Sequence, residues 1–236
     1  MINPEFLESK KGFDFFKNLI EINSHFSFSR WNDGEIGLVL KTEPVYSTII
    51  RKWTKEIESE AKKLRTILNK PLKYYVGVCP YYLRKKEDMF FSSTNSDINF
   101  INSHVFHHLS IQDFKNFLTL LKTKNTIIVG PDYLIELDFY KEHIVTPLEF
   151  VWKHVDVIES NIITKINKYD NVIIVYSASI ATNILIDRLY DKFQNKITQI
   201  DIGSNLDPYC GVFSRSGHKK FMEDNKIPIK KIITRK

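Results

Sequence analysis

The sequence predicts an α/β protein built on a doubly wound, mostly parallel sheet with helices on both faces, and three observations carry that prediction. Helical and strand-like segments alternate along the whole chain, which is the pattern of parallel strands joined by crossover helices. Runs such as Val172 to Val175 are apolar at every position rather than at every second one, as in strands covered on both faces. No internal repeat, low-complexity tract or Pro/Gly/Ser-rich linker interrupts the 236 residues, so a single domain is expected over 1–236.

Taken in order, the first helix is expected over 4–22, where Phe6, Phe13, Phe16 and Ile20 recur at helical spacing. "HFSFSRW" (25–31) follows as a strand. A helix over 48–69 shows the cleanest stripe, with Trp53, Ile57, Ala61, Leu64 and Leu68 on one face. "YYVGVC" (74–79) is the second strand. Further helices are expected over 111–123, 148–167 and 179–194. They are separated by strands at "NTIIVG" (125–130), "HIVTP" (143–147), "NVIIVYSA" (171–178) and "KITQIDIG" (196–203). Together these describe a Rossmann-like order.

Composition excludes several classes. The chain is 43% hydrophobic and 26% charged, as globular proteins are, and no apolar run approaches the roughly 20 residues of a membrane span. The first residues lack the basic-then-apolar order of a secretory signal, so a cytoplasmic setting is expected. Cys79 and Cys210 have neither disulfide-scaffold nor zinc spacing and are read as reduced thiols. The net charge of +6 favours anionic partners in general. The 11 tyrosines and 17 phenylalanines are dispersed at core-like spacing rather than interleaved with lysines, so no nucleic-acid platform is expected.

In an open parallel sheet, ligands bind outside the carboxyl ends of the strands. Three strand ends carry chemistry. After "FSRW" come Asn32, Asp33, Gly34 and Glu35. If the chain is still extended there, the two carboxylates point to one side, with Gly34 allowing close backbone approach. Paired carboxylates suit Mg²⁺ or Mn²⁺ shared with phosphate oxygens, and Arg30 would contact a phosphate or orient a carboxylate. The plainer alternative is a turn in which Glu35 opens the next helix and complements its dipole. After "VIIVY" come Ser177, Ser179 and Thr182 at a helix start, a place suited to phosphate, or simply an N-cap. The glycines of a dinucleotide fingerprint or P-loop are missing there. After "QIDI", Asp201 and Gly203 stand at a strand end, and Asp207-Pro208 reads as a turn start with a catalytic role as the alternative.

With these segments in place, the sequence resembles the GT-D-type glycosyltransferases. "FSRWNDGEI" looks like that family's "RxGDGE" signature. "VYSASIATNILIDRLYDKF" followed by "QIDIGSNLDPY" is similar to its C-terminal loop, helix and "DIG" strand end, and "IVTPLEFVWKHVDVIESNI" resembles its Pro-containing strand-to-helix segment. The resemblance covers roughly 25–210. It departs at Asn32, where the family favours glycine, and at Ser204, where it favours histidine.

The resemblance implies a glycosyltransferase that moves a sugar from a nucleotide-sugar donor, with UDP the expected nucleotide, to a glycan, glycoprotein or lipid-linked acceptor. It associates Asp33-Gly34-Glu35 with a divalent cation, Mn²⁺ or Mg²⁺, on the donor diphosphate. Asp33, Glu35 and Asp207 are then the catalytic candidates. Arg30, Gly34, Ser177, Ser179, Thr182, Asp201 and Gly203 are the donor-binding ones. An acceptor base would come from Asp201, Asp207 or His218, although His218 in "SRSGHKK" reads first as a solvated loop histidine.

The alternative is a metal-independent α/β enzyme or binding protein for a nucleotide or sugar phosphate, with the acids as turn residues. A third reading, a charge-driven anion or nucleic-acid binder, suffers from having no gathered basic stripe. His104, His107 and His108 lie within five residues, with His104 and His108 at an i,i+4 metal spacing if helical, but are expected to be surface histidines. The basic tail "KIPIKKIITRK" is expected to be a final strand or helix edge, with peripheral membrane contact as the alternative.

Overall fold

The computed structural model describes residues 8–41, 54–79, 83, 86–107 and 109–232. Its centre is a seven-stranded sheet in which every pairing is parallel. The strands are β1 (Ser27–Trp31), β2 (Tyr75–Val78), β3 (Phe100–Asn102), β4 (Asn125–Pro131), β5 (Glu142–Thr146), β6 (Val172–Tyr176) and β7 (Thr198–Asp201). Their spatial order is β3-β2-β1-β7-β6-β4-β5. From β1 the chain steps outward to β2 and β3, while β7 closes against the other side of β1. The strand order therefore changes direction between β1 and β7, where such sheets open a crevice.

Eight helices occur among the described residues: α1 (Ser9–Glu21), α2 (Asp33–Leu40), α3 (Lys55–Leu68), α4 (Glu87–Ser92), α5 (Ile111–Lys122), α6 (Val155–Ile166), α7 (Ala181–Phe193) and α8 (Ser216–Asp224). The pleat divides the core in two. Val172, Ile174 and Tyr176 of β6 face one side, packing with α2, α3, α4, α6 and α7. Ile173 and Val175 face the other, with Phe13 and Phe16 of α1 and Phe114 and Phe117 of α5. This is the doubly wound three-layer arrangement expected from the fully apolar strands.

A polar seam fixes α7 over the crevice. Asn183 donates to Ser29 Oγ at 3.1 Å and to the Arg30 carbonyl at 2.7 Å. Gln199 accepts from the Tyr176 hydroxyl at 2.8 Å and donates to Ser27 Oγ at 3.0 Å. Each of these side chains is buried, so each bond removes a desolvated orphan as well as setting register.

Several sequence expectations are corrected in detail. The first helix begins at Ser9, and positions 4–7 of the expected helix lie outside the described residues. Of the helix expected over 48–69, residues 48–53, including Trp53, also lie outside them, and Thr54 caps the helix through a bond from Ile57 N at 3.3 Å. The helix expected over 148–167 is broken. Phe150 takes a left-handed φ of 53°, a 3₁₀ turn covers Val151–His154, and α6 starts only at Val155.

Helices α2, α4 and α8 and strand β3 were not expected. In α2, Gly34, Ile36, Gly37, Leu38 and Val39 are all buried, which erases the one-sided periodicity by which helices are recognised. The described part of the basic tail pairs Lys231–Ile232 (β9) in parallel with Val212–Phe213 (β8), as the strand-edge reading expects. No helix among the described residues is long and apolar enough to cross a membrane.

Candidate functional site

At the carboxyl ends of β1 and β7 lies a cavity of about 460 Å³, roofed by the loop after β3 and by the start of α8. Arg30 and Asp33 enter it from β1 and α2, His104 and His107 from the loop after β3, and Ser204 and Asn205 from the end of β7. Arg215 and His218 reach it from the α8 side. Phe106, Phe114, Tyr209 and Phe221 supply an aromatic wall, in which Phe114 and Tyr209 stack with centroids 4.9 Å apart. Few convergent charges on an aromatic cavity is the composition of a small-molecule site.

Arg30 is the centre of the arrangement. It is 93% removed from solvent although it carries a fixed charge. Burial pushes its pKa down, opposed chiefly by the negative charge of Asp201 and then of Glu35, while the positive charge of Arg215 pushes it down further. Its Nη2 lies 3.3 Å from His107 Nε2, and its Nε has no hydrogen-bond partner. A buried guanidinium with an unspent donor, lining a cavity beside a second arginine, is suited to an anion.

Asp201 holds this cation from below without a direct fork. Its carboxylate accepts from Arg30 N at 3.2 Å and Gly203 N at 3.0 Å. Burial lifts its pKa to about 6, against the opposing pull of Arg30. Gly203 turns the chain with φ +54°, and a Cβ there would lie 2.0 Å from Arg30 Nη1, so only glycine leaves room for the guanidinium.

The acidic pair is arranged differently from the extended-chain expectation. The helix begins at Asp33, so residues two apart diverge around the axis instead of sharing a side. Glu35 turns back on its own helix start, accepting from Asn32 N at 2.9 Å while the Asn32 side chain accepts from the Glu35 backbone, a reciprocal capping box. Burial pushes its carboxyl up, and the bond from Asn32 pulls it down. Asp33 remains exposed on the cavity rim.

Among the described residues no group of three or more His, Cys, Asp or Glu side chains is arranged to hold a metal ion. The donor set therefore does not suit a metal caged by protein alone. It suits a Mg²⁺ or Mn²⁺ that takes one carboxylate from Asp33 and completes its shell with ligand phosphate and water.

Of the remaining expected residues, Gly34 is buried in α2. Ser177 and Ser179 follow β6 and Thr182 lies in the first turn of α7, and none of them is among the residues that line this cavity. Asp207 opens a 3₁₀ turn and is 1% exposed, accepting from the Tyr133 hydroxyl at 2.9 Å and from Ser214 Oγ. His104 and His107 are turned toward the cavity in a non-helical loop rather than lying on free surface, and His108 is outside the described residues. The clustering of histidines in "HVFHHL" was the available signal. What it lacked was any indication that this loop faces β1.

Cys79 and Cys210 are free, as expected, and both are buried; burial pushes the Cys210 thiol up to about 12, which leaves it unreactive.

No family profile matches the chain, and no curated protein does. A solved structure described as the highly conserved domain of unknown function 1792, with a distinct glycosyltransferase fold, superimposes with a TM-score of 0.59 over 87% of this chain and 81% of that one. The chain has a glycosyltransferase-like fold. At 16% identity the likeness is one of architecture, and the residues of the cavity must speak for themselves.

Proposed function

We propose that this protein is a glycosyltransferase whose β1/β7 cavity takes the diphosphate of a nucleotide-sugar donor, with a UDP-sugar as the leading candidate. The observation that carries the reading is buried Arg30 with an unspent donor, lining the cavity beside Arg215. The aromatic wall of Phe114 and Tyr209 suits the flat face of a base or the apolar face of a sugar. The glycosyltransferase-like fold adds to this without specifying donor or acceptor.

In transfer, negative charge grows on the departing diphosphate as its bond to the sugar lengthens. Burial holds Arg30 against the cavity where that charge would develop, with the exposed Arg215 lining the same cavity, so the Arg30 guanidinium would stabilise the transition state with little reorganisation. The desolvated setting of Arg30 strengthens its contribution. Asp33 would hold Mn²⁺ or Mg²⁺ against the same oxygens, and such an ion supplies Lewis-acid stabilisation of the leaving group. Glu35 fixes the start of α2 and hence the position of Asp33. The acceptor, whether glycan, glycoprotein or lipid-linked, would approach through the open side of the cavity.

The test is a donor panel. UDP-, GDP-, dTDP- and CMP-sugars are incubated with the protein and Mn²⁺, Mg²⁺ or EDTA, and released nucleotide is quantified. Release from one donor, suppressed by EDTA and absent in Arg30→Ala, is the expected result. A second reading, a metal-independent protein for a nucleotide or sugar phosphate, is favoured by the lack of a three-ligand metal cluster among the described residues. It is distinguished by nucleotide binding that EDTA leaves untouched, with no turnover of any donor.

A further inference from the structure

Three segments meet beside the cavity and form a hydrogen-bonded chain that the donor-binding reading does not use. Asp207, at the turn after β7, is buried, and its two carboxylate oxygens accept from two hydroxyls, Tyr133 at 2.9 Å and Ser214. Ser214, itself buried at the end of β8, lies 3.3 Å from Nδ1 of His218 in the first turn of α8. His218 lines the cavity.

The proton count along this chain decides its direction. A serine hydroxyl has one proton to give, and here it goes to the Asp207 carboxylate. Ser214 Oγ can then meet His218 only as an acceptor, so the ring must carry its proton on Nδ1. That leaves Nε2 as the ring's accepting nitrogen. The order also excludes a serine nucleophile. In a nucleophilic triad histidine stands between the acid and serine and takes the serine proton, whereas here serine stands between acid and histidine.

We propose that His218 is the general base that takes the acceptor proton, and that Asp207 and Ser214 are positioning residues that fix its ring and tautomer. This rests on the glycosyltransferase reading above. In the step, the acceptor hydroxyl oxygen bonds to the sugar's anomeric carbon and its proton passes to His218 Nε2. The bond from that carbon to the diphosphate breaks, and the electron pair leaves with the diphosphate. The Nδ1–H held by Ser214, with the Asp207 carboxylate behind it, stabilises the imidazolium that forms.

Two measurements on the full chain test it. The first is the tautomer of His218, read from two-bond ¹H–¹⁵N correlations of the histidine rings, with His218→Gln used to assign the signal. Nδ1–H in the wild type, lost in Ser214→Ala and kept in Ser214→Thr, is expected. The Nε2–H form, which an unconstrained imidazole prefers, overturns the relay.

The second is turnover of the donor found in the panel, together with binding of UDP. His218→Gln is expected to lower kcat by roughly 10²–10⁴-fold, the usual yield of a general base. The affinity for UDP should stay within about twofold, because the interaction is made only in the transition state. Ser214→Ala should lower kcat in the same sense and Ser214→Thr restore it. Unchanged kcat in His218→Gln, or a loss of UDP affinity in step with kcat, overturns the base role. A wild type that turns over no donor removes the transferase reading and the base role with it, while the ring tautomer still decides whether the relay exists.

Discussion

Two strand ends of this sheet carry similar chemistry in the sequence and very different surroundings in the fold. The end of β6 presents Ser177, Ser179 and Thr182 before a helix, which reads as a phosphate loop. The end of β1 presents Arg30, Asp33 and Glu35, which reads as a carboxylate pair for a metal beside a phosphate contact, or as a turn in which Glu35 opens the next helix. Yet the cavity opens at β1 and β7, because that is where the strand order changes direction. Thr182 is fully buried, and the residues of the β6 end do not line the cavity. A helix start with hydroxyl residues is a common structural feature, and at the β6 end it stands outside the lining of this cavity, with Ser177 half-buried and Ser179 exposed.

The largest expected effect separates the two ends directly. Arg30→Ala should weaken UDP binding by about 100-fold, the equivalent of ~3 kcal/mol for two charge-assisted hydrogen bonds in a desolvated site. Ser177→Ala and Ser179→Ala should each change it by no more than about twofold, as expected away from a site. Isothermal titration of all three variants measures this, and a reversal of the ranking would move the anion site to β6.

Gly203→Ala comes next. The added methyl must displace Arg30 and also strain a left-handed backbone, which costs on the order of 1–3 kcal/mol. We expect a lowered melting temperature together with a loss of UDP affinity approaching that of Arg30→Ala. A variant that loses stability but binds normally would show that Arg30 does not need its present position.

The two acids sharpen the contrast within the β1 end. Asp33→Ala should abolish any stimulation of UDP binding by Mn²⁺ and leave stability unchanged. Glu35→Ala should cost about 1 kcal/mol through loss of the capping box, read by denaturant titration, whereas Glu35→Gln, which keeps an acceptor for Asn32 N, should retain cation stimulation. Loss of cation stimulation in a stable Glu35→Gln variant would return Glu35 to the ligand shell.

A separate effect concerns pH. Asp201 binds its proton more tightly when folded, with a pKa of about 6 against an ordinary 3.8. Between those values the folded state holds more protons, so this residue's contribution to stability is full below pH 4 and is lost as pH rises toward 6. The loss is on the order of 2–3 kcal/mol. It should appear as the difference in pH slope between wild type and Asp201→Asn in denaturant titrations across pH 4–7. Equal slopes would mean that Asp201 stays ionised throughout.

What could be read from sequence follows the same physics. Helix α3 was legible because Ile57, Ala61, Leu64 and Leu68 line one face while charges cover the other. Helix α2 was not, because it is packed on nearly all sides and shows no stripe. All six expected strands lie within a residue or two of their observed ends, the one expected over 196–203 running from Thr198 to Asp201. The strand Phe100–Asn102 is too short to carry a period. Arg30, Asp33 and Asp201 were found because they stand at or just after strand ends. His107, Tyr209 and Arg215 were missed because they reach the cavity from loops whose placement depends on strand order, which local patterns do not encode.

The contact between Gly203 and Arg30 has a consequence for how such chains diverge. The two positions are 173 residues apart in sequence but share one volume, since even a methyl at one would overlap the guanidinium of the other. Position 203 cannot drift alone. In any descendant that keeps the arginine, position 203 is held to glycine, and a larger residue at 203 becomes tolerable only after position 30 has shortened. Substitution histories at these two sites should therefore be paired and ordered, with the arginine lost first and the glycine afterwards.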